Sequence, residues 1–275
     1  MKRIVSSFFL HLLLAIGAFI SLLPFYWLFV MSTRKATEFM RYPPIFIPGD
    51  RLFINVTNLV HAINFGGSML NTLFVAGVKT LGTIFFCAMA GFYFAKFKFP
   101  GNKGLFAFLL LTMMIPGQLT LVPMLVEMQA FGWVSTFKAL IVPGLVGAFG
   151  IFWMRQYADG AIHDDLLNSG RIDGCNTFRL FWNIGFPILL PGISFLAIFT
   201  FMGAWNDYLW PLIVINDPNK YIIQVELQQL NGVYNQTDYG MVMAGTFLAM
   251  LPLIIIFLIF NKQIVGGIAE GAIKD

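Results

Sequence analysis

Residues 163–192 read HDDLLNSGRIDGCNTFRLFWNIGFPILLPG. This is the longest run of the middle and later chain that mixes charge with apolar residues, and long apolar segments flank it on both sides. Asp164 or Asp165 can cap a short helix carrying Leu166 and Leu167, because a short carboxylate accepts from the free N–H groups of a first turn. Gly170 and Gly174 break that helix and allow a tight turn. Asn176 or Thr177 can cap a second short helix with Phe178, Phe181 and Trp182 on one face, aromatics that suit a membrane interface. Pro187 and Pro191 then lead into the next apolar segment. The stretch reads as two short helices around Arg171-Ile172-Asp173-Gly174. Leu166, Leu167 and Ile172 would offer an apolar knob to a partner's groove. The plainer alternative is an ordinary solvated loop.

Composition places this stretch in a membrane protein. Of 275 residues, 58% are hydrophobic and 11% charged, against about 25% charged in an ordinary soluble domain. So few charges cannot cover a water-exposed surface. A bilayer core needs roughly 20 mainly apolar residues as helix. On that basis the chain offers six candidates: Phe8–Met31, Met69–Ala95, Gly104–Val126, Ala139–Met154, Pro187–Val214 and Gly240–Phe260. The fourth is short and could begin near Thr136. The expected fold class is all-α, a polytopic protein with six transmembrane helices. Lys2 and Arg3 precede the first apolar run, but the run is too long for the h-region of a signal peptide, and it reads as a retained span.

The net charge of +4 is no sign of nucleic-acid binding, since basic residues beside spans act as orientation signals. One side would hold Lys2, Arg3, Lys96, Lys98, Lys103, Arg155, Arg171, Arg179, Lys262 and Lys274; the other Arg34, Lys35, Arg41, Arg51, Lys138 and Lys220. The excess puts both termini and the 163–192 stretch in the cytoplasm. The short 96–103 loop is purely basic, and the external 215–239 loop is mostly acidic. The first external loop, 32–68, with Pro43, Pro44 and Pro48, is too polar to span and is expected on the outer surface.

Several span residues invite a functional reading beside a structural one. Lys79 sits inside the second span, where an ionisable residue is costly and often functional; the bland reading is that it snorkels or pairs with a neighbouring helix. Gly82 and Gly91 suit close helix packing. Pro116, Gly117 and Pro123 interrupt the third span, and proline removes a backbone hydrogen bond. Broken helices often line pathways, so Pro116 and Gln118 are pathway candidates, as is Asn206; a kinked structural helix is the alternative for the break. Trp205, Tyr208 and Trp210 fit an interfacial belt better than a ligand-stacking platform. The external loop is polar and mobile-looking; it carries Gln228, Gln229, Asn231, Tyr234, Asn235 and Gln236, and the resemblance set out below implies that these face a partner outside the cell. A plain solvated loop is again the competing reading.

Chemistry of the chain's own is not apparent. There is no G-x-x-x-x-G-K-[ST] motif, no metal spacing and no nucleophile–base pair; His11, His61 and His163 are far apart, and Cys87 and Cys175 read as reduced structural thiols. No cofactor is expected, and a membrane-embedded enzyme is disfavoured. A stand-alone secondary transporter would usually need intramembrane acids for ion coupling, and the spans lack them apart from Asp207 at an end.

A resemblance sharpens this reading. Asp173, Gly174, Ile184, Pro187 and Pro191 fit the "EAA" loop of binding-protein-dependent ABC importer permeases, whose pattern is E-A-A-x-x-D-G and then I-x-x-P-x-x-x-P. Asn168, Ser169 and Gly170 stand at the E-A-A positions: two remain small, and one expected charged contact is lost. MMIPGQ at 113–118, FGIFWMRQ at 149–156, WNDYLWPL at 205–212 and GGIAEGAIKD at 266–275 are similar to carbohydrate-uptake permeases of the MalG type. The resemblance implies a permease core over residues 69–262, preceded by the N-terminal span and external loop (1–68) and followed by a cytoplasmic tail (263–275). It implies a bacterial inner-membrane location, a second MalF-like permease, two ATP-binding cassette subunits each docking on a cytoplasmic loop such as 163–184, and an extracellular or periplasmic solute-binding protein. The docking residues would be Leu166, Leu167, Asn168, Ser169, Gly170, Ile172, Asp173 and Gly174. The solute would be a carbohydrate, expected to be an oligosaccharide.

Overall fold

The computed structural model describes residues 2–231 and 237–272, with side chains over 9–231 and 237–260. All regular structure among these residues is helical. Five helices are long and apolar enough to cross a membrane: Phe9–Ser32, Phe65–Lys96, Phe137–Ala161, Thr177–Trp205 and Tyr239–Phe260. The sixth candidate consists of two apolar pieces, Asn102–Thr112 and Gly117–Ala130, that meet at 91°.

The contacts divide the chain into two units, residues 1–66 with 226–252, and residues 67–225 with 253–275. In the first unit, helix α1 (Lys2–Ser32) is followed by a loop that closes on its end. The Thr33 hydroxyl accepts from the Gly49 N–H at 2.7 Å, and the Arg34 guanidinium donates to the Ile47 carbonyl at 2.7 Å. Asn55 donates to the carbonyls of Ser32 and Arg34 at 2.8 and 2.9 Å. Asn55 sits on α2 (Leu52–Ala62), an 11-residue helix inside what the hydropathy scan leaves as an irregular loop.

The second unit is built on α3 (Phe65–Lys96), α7 (Ala148–Ala161) and α10 (Phe186–Trp205). Between apolar helices in lipid, association rests on close van der Waals fit rather than on escape from water, so small residues mark the contacts. A Cβ on Gly91 would lie 2.7 Å from the backbone of Arg155, and one on Gly150 would lie 2.8 Å from Cys87 Sγ. The Trp153 indole donates to the Gly192 carbonyl at 2.9 Å. Around these approaches lies one buried core of Phe92, Met154, Phe181, Leu189 and Leu196.

The interrupted third span is α4 (Asn102–Thr112) and α5 (Leu121–Ala130), joined by a 3-10 turn over Gly117–Thr120. Pro116 makes the break, while Pro123 stands in the first turn of α5, where the missing N–H costs nothing. Backbone groups at the bend find near neighbours: Met114 donates to Leu111, Ile115 to Thr112 and Leu119 to Pro116, at 3.0–3.3 Å. The bend is thus hydrogen-bonded in part within itself, which lowers its cost in lipid. The fourth crossing, α6 (Phe137–Ile141) continuing through a 3-10 turn at Pro143 into α7, begins just after Thr136 and runs to Ala161, beyond the expected Met154. The fifth stops at Trp205 and not at Val214; a break at 206–208 separates it from α11 (Leu209–Val214).

Two expectations about aromatics are corrected by this packing. Trp205 is fully buried and Trp210 nearly so, and the Trp210 indole donates to the Ala139 carbonyl at 3.0 Å. They brace the unit internally and form no belt. Phe181 is likewise buried, 5.5 Å from Phe92 between ring centroids, leaving Phe178 and Trp182 as the outward members of that group.

Candidate functional site

The stretch 163–192 folds into α8 (Asp164–Ile172), α9 (Thr177–Leu180) and a single π-helical turn over Phe181–Gly185 that runs directly into α10. The second short helix is therefore the beginning of the fifth span. Its cap is Asn176, whose side-chain oxygen accepts from the Arg179 N–H at 2.9 Å. The cap position of α8 falls on His163, one residue earlier than expected. Asp164 and Asp165 occupy the first turn and Arg171 the last, an arrangement that opposes the helix dipole at both ends.

Gly174 ends α8 with φ +80°. Cys175 donates to the Gly170 carbonyl at 2.9 Å and Gly174 to that of Arg171 at 3.1 Å, the paired bonds of a Schellman cap. The other glycine has a different task. Gly170 lies within α8, and a Cβ there would stand 2.7 Å from the tips of Leu180 and Ile184. Gly170 therefore gives close approach to the next helix and breaks nothing.

One face of α8 enters the core. Leu167 is 2% exposed and shares the buried cluster of Phe92, Phe181 and Leu189. The outward face carries Leu166 at 45% and Ile172 at 87% exposure, so the apolar knob is Leu166 and Ile172, with Leu167 turned inward. Asn168, Ser169, Asp173 and Gly174 are exposed. The Asn168 side chain is engaged locally, accepting from Arg171 at 2.9 Å, and the Ser169 hydroxyl donates to the Asp165 carbonyl.

Lateral ties hold α8 to α3. Lys96, with its side chain 7% exposed, reaches the Asp164 carboxylate at 3.3 Å and the Asp159 carbonyl at 3.4 Å. The Arg171 guanidinium stands 5.5 Å above the Phe97 ring. Sequence reasoning placed Lys96 in a basic loop and saw none of these ties. The signal was the spacing of Lys96 to Phe97 beside two acidic residues at the start of α8, which becomes meaningful only once α3 and α8 are known to adjoin.

Higher in the same unit, α3, the 142–150 segment and α10 enclose a cleft of about 210 Å³ lined by Lys79, Thr83, Gly144, Phe149, Phe199 and Thr200 among others. Pro116, Gln118 and Asn206 are exposed and do not line it. Asn206 ends α10, its amide donating to the Met202 carbonyl at 2.9 Å.

The segment following α11 is fastened where the sequence suggests mobility. Ser135 Oγ accepts from the N–H groups of Asn216 and Asp217 at 3.1 and 3.0 Å. Asn71 donates to the carbonyls of Asn219 and Tyr221, and Thr72 Oγ1 accepts from Ile223 N–H at 2.8 Å. Lys220 holds the Asp217 carboxyl below its ordinary pKa. On α12 (Ile223–Gln228) and the turn after it, Gln228, Gln229 and Asn231 are exposed, and Asn231 donates to Gln228 at 3.0 Å. Tyr234, Asn235 and Gln236 lie outside the described residues.

This architecture and sequence have relatives. The chain is 31% identical to the arabinooligosaccharides transport system permease protein AraQ of Bacillus subtilis, over 92% of this chain and 90% of that one. It is 29% identical to the lactose transport system permease protein LacG of Rhizobium radiobacter, over 100% and 98%. A crystal structure of a bacterial ABC transporter involved in the import of the acidic polysaccharide alginate superposes with a TM-score of 0.82 at 21% identity, covering 95% of this chain and 97% of that one. Residues 84–269 match the model of the binding-protein-dependent transport system inner membrane component, a match that takes in α8 and its cap. On that match, the chain belongs to the family of binding-protein-dependent transport system inner membrane components.

Proposed function

We propose that this chain is the membrane-spanning permease subunit of an ABC importer for a carbohydrate, an oligosaccharide in particular, and that α8 is the handle through which ATP-driven subunits move it. The observation that carries the proposal is the double character of α8. Its Leu167 and Gly170 face is packed into the same core as the spans, while Leu166, Ile172 and Asp173 are presented outward. A force applied to the outward face is passed to α3 and α10 through side chains that have nowhere to relax, since close-packed interiors transmit displacement.

In this reading ATP hydrolysis belongs to two separate cassette subunits, and a second permease completes the path. The cassettes bind one arrangement of the spans better than the other, and that difference in affinity drives the shift between inward-facing and outward-facing states. Both termini and α8 lie in the cytoplasm. Gln228, Gln229 and Asn231, with Tyr234, Asn235 and Gln236, meet a solute-binding protein on the opposite side. The carbohydrate assignment is supported by relatives named for arabinooligosaccharide and lactose transport.

The test is Asp173→Trp, alone and with Gly174→Trp, in the assembled importer. The expected result for Asp173→Trp is normal assembly with loss of receptor-stimulated ATPase activity and of uptake. Unchanged coupling and uptake in both variants would refute the docking role of α8.

A further inference from the structure

The cleft in the second unit holds a charge that the permease reading leaves without a task. Lys79 lies midway along the 32-residue α3, at a depth where a cation is kept only with a partner or a purpose. The end of its side chain lies against Gly144, whose missing side chain leaves the room it occupies. The rest of the lining is uncharged: the hydroxyls of Thr83 and Thr200, and the rings of Phe149 and Phe199 at 4.7 Å between centroids. Thr83 donates its proton to the Gly144 carbonyl at 3.1 Å, which leaves its oxygen free to accept. The ion pairs among the described residues are Arg34–Glu38, Lys96–Asp164 and Lys220–Asp217, and Lys79 is in none of them. Asp207, just beyond α10, is near enough for its charge to act on Lys79, yet it does not line the cleft.

We infer that Lys79 is a solute-recognition residue: the cleft takes the anionic group, carboxylate or phosphate, of an acidic saccharide on its way through the permease. The inference rests on the permease reading and adds the charge class of the solute. An apolar cleft whose one charged wall group is an ammonium favours an anion over a neutral hydroxyl, because a charge-assisted hydrogen bond is roughly twice as strong as a neutral one and the low-polarity walls screen it little. The two rings offer flat apolar surface for the body of a sugar ring. Asp207 acts as a restraint, holding part of the lysine's field when no solute is present.

Two roles of the same residues predict opposite results. If Lys79 and Asp207 were a structural pair, removing either charge would do equal harm. If Lys79 receives an anion, removing Asp207 strengthens its pull while removing Lys79 abolishes it. Uptake of an oligouronate, a sugar phosphate and a neutral oligosaccharide of matched length would be measured in cells carrying the complete importer, normalised to assembled complex, with receptor-stimulated ATPase activity as the second readout. The expected result is uptake of an oligouronate or a sugar phosphate, lowered on the order of tenfold or more by Lys79→Gln, retained in Lys79→Arg, and undiminished in Asp207→Asn. The solute that depends on Lys79 tells a carboxylate from a phosphate. Should Lys79→Gln fail to assemble, Lys79→Arg and Asp207→Asn carry the test, and loss of anion uptake in Asp207→Asn overturns the proposal. An importer whose ATPase responds to its loaded receptor but which carries only the neutral sugar also overturns it and leaves the permease reading intact. An assembly that carries none of the three and shows no receptor response overturns both.

Discussion

Leu167 and Ile172 are five positions apart on one nine-residue helix and do opposite work. Leu167 is nearly inaccessible and packs with Phe92 and Phe181, whereas Ile172 stands almost wholly in the open. Truncating a buried leucine leaves a cavity and costs about 2–5 kcal/mol; truncating a side chain with no neighbours costs within about 0.5 kcal/mol. Leu167→Ala should therefore lower the thermal stability and yield of the purified complex, while Ile172→Ala leaves both unchanged and reduces uptake through weakened docking. Equal effects of the two variants on stability would mean that α8 is not seated as described. The sequence could name both residues as apolar but could not rank them. Amphipathic position alone does not say which face of a short helix finds a core, and here the decision is made by Gly170, whose missing side chain lets Leu180 and Ile184 come close.

At the scale of elements, the crossings were legible because hydropathy is summed over some 20 residues and survives errors at the ends. Pro116 announced a break, but the 91° between the two halves depends on the turn bonds at 114–119, which no composition specifies. Trp205 and Trp210 misled for a related reason: an aromatic near a span end can face lipid or a neighbouring helix, and the carbonyl of Ala139 that receives Trp210 is 71 residues away. Helix α12 carries the clearest pH response outside the spans. Glu226 is buried, with Oε1 accepting from the Asn64 N–H at 2.8 Å and Oε2 buried without a hydrogen-bond partner. Burial pushes its pKa above the ordinary value of 4.5, and the Asn64 bond opposes this in part. A carboxyl whose folded pKa is raised favours the fold fully below its unfolded pKa and loses that contribution as pH rises through the folded value. Glu226→Gln, neutral at every pH, should thus gain thermal stability over the wild type above about pH 4.5, with the difference vanishing below it. A constant offset between the two melting curves across that window would assign Glu226 a purely steric role.

For the whole molecule, orientation decides whether the parts can work together, and it is the property that the basic residues argue alone. Ten of them fall on the side assigned to α8 and six on the other, with Lys79 inside a span; an excess of Lys and Arg in short loops keeps those loops in the cytoplasm. The short 96–103 loop adds to this by holding only basic charges, and Lys96, one of them, also fastens α8 through Asp164. Two thiols already exist, Cys87 buried and Cys175 half-buried, both free. In a background with Cys87→Ala and Cys175→Ser, a single Asp173→Cys probe should react with a membrane-impermeant maleimide only in inside-out vesicles, and Asn231→Cys only in right-side-out ones. The pairing matters: both sites are exposed, so failure to label from one side reports the membrane rather than burial. Labelling of Asp173→Cys from outside the cell would put α8 beyond reach of any ATP-hydrolysing subunit. The rigid seating of Leu167 and Gly170 would then serve stability alone, and the coupling role would have to be given up.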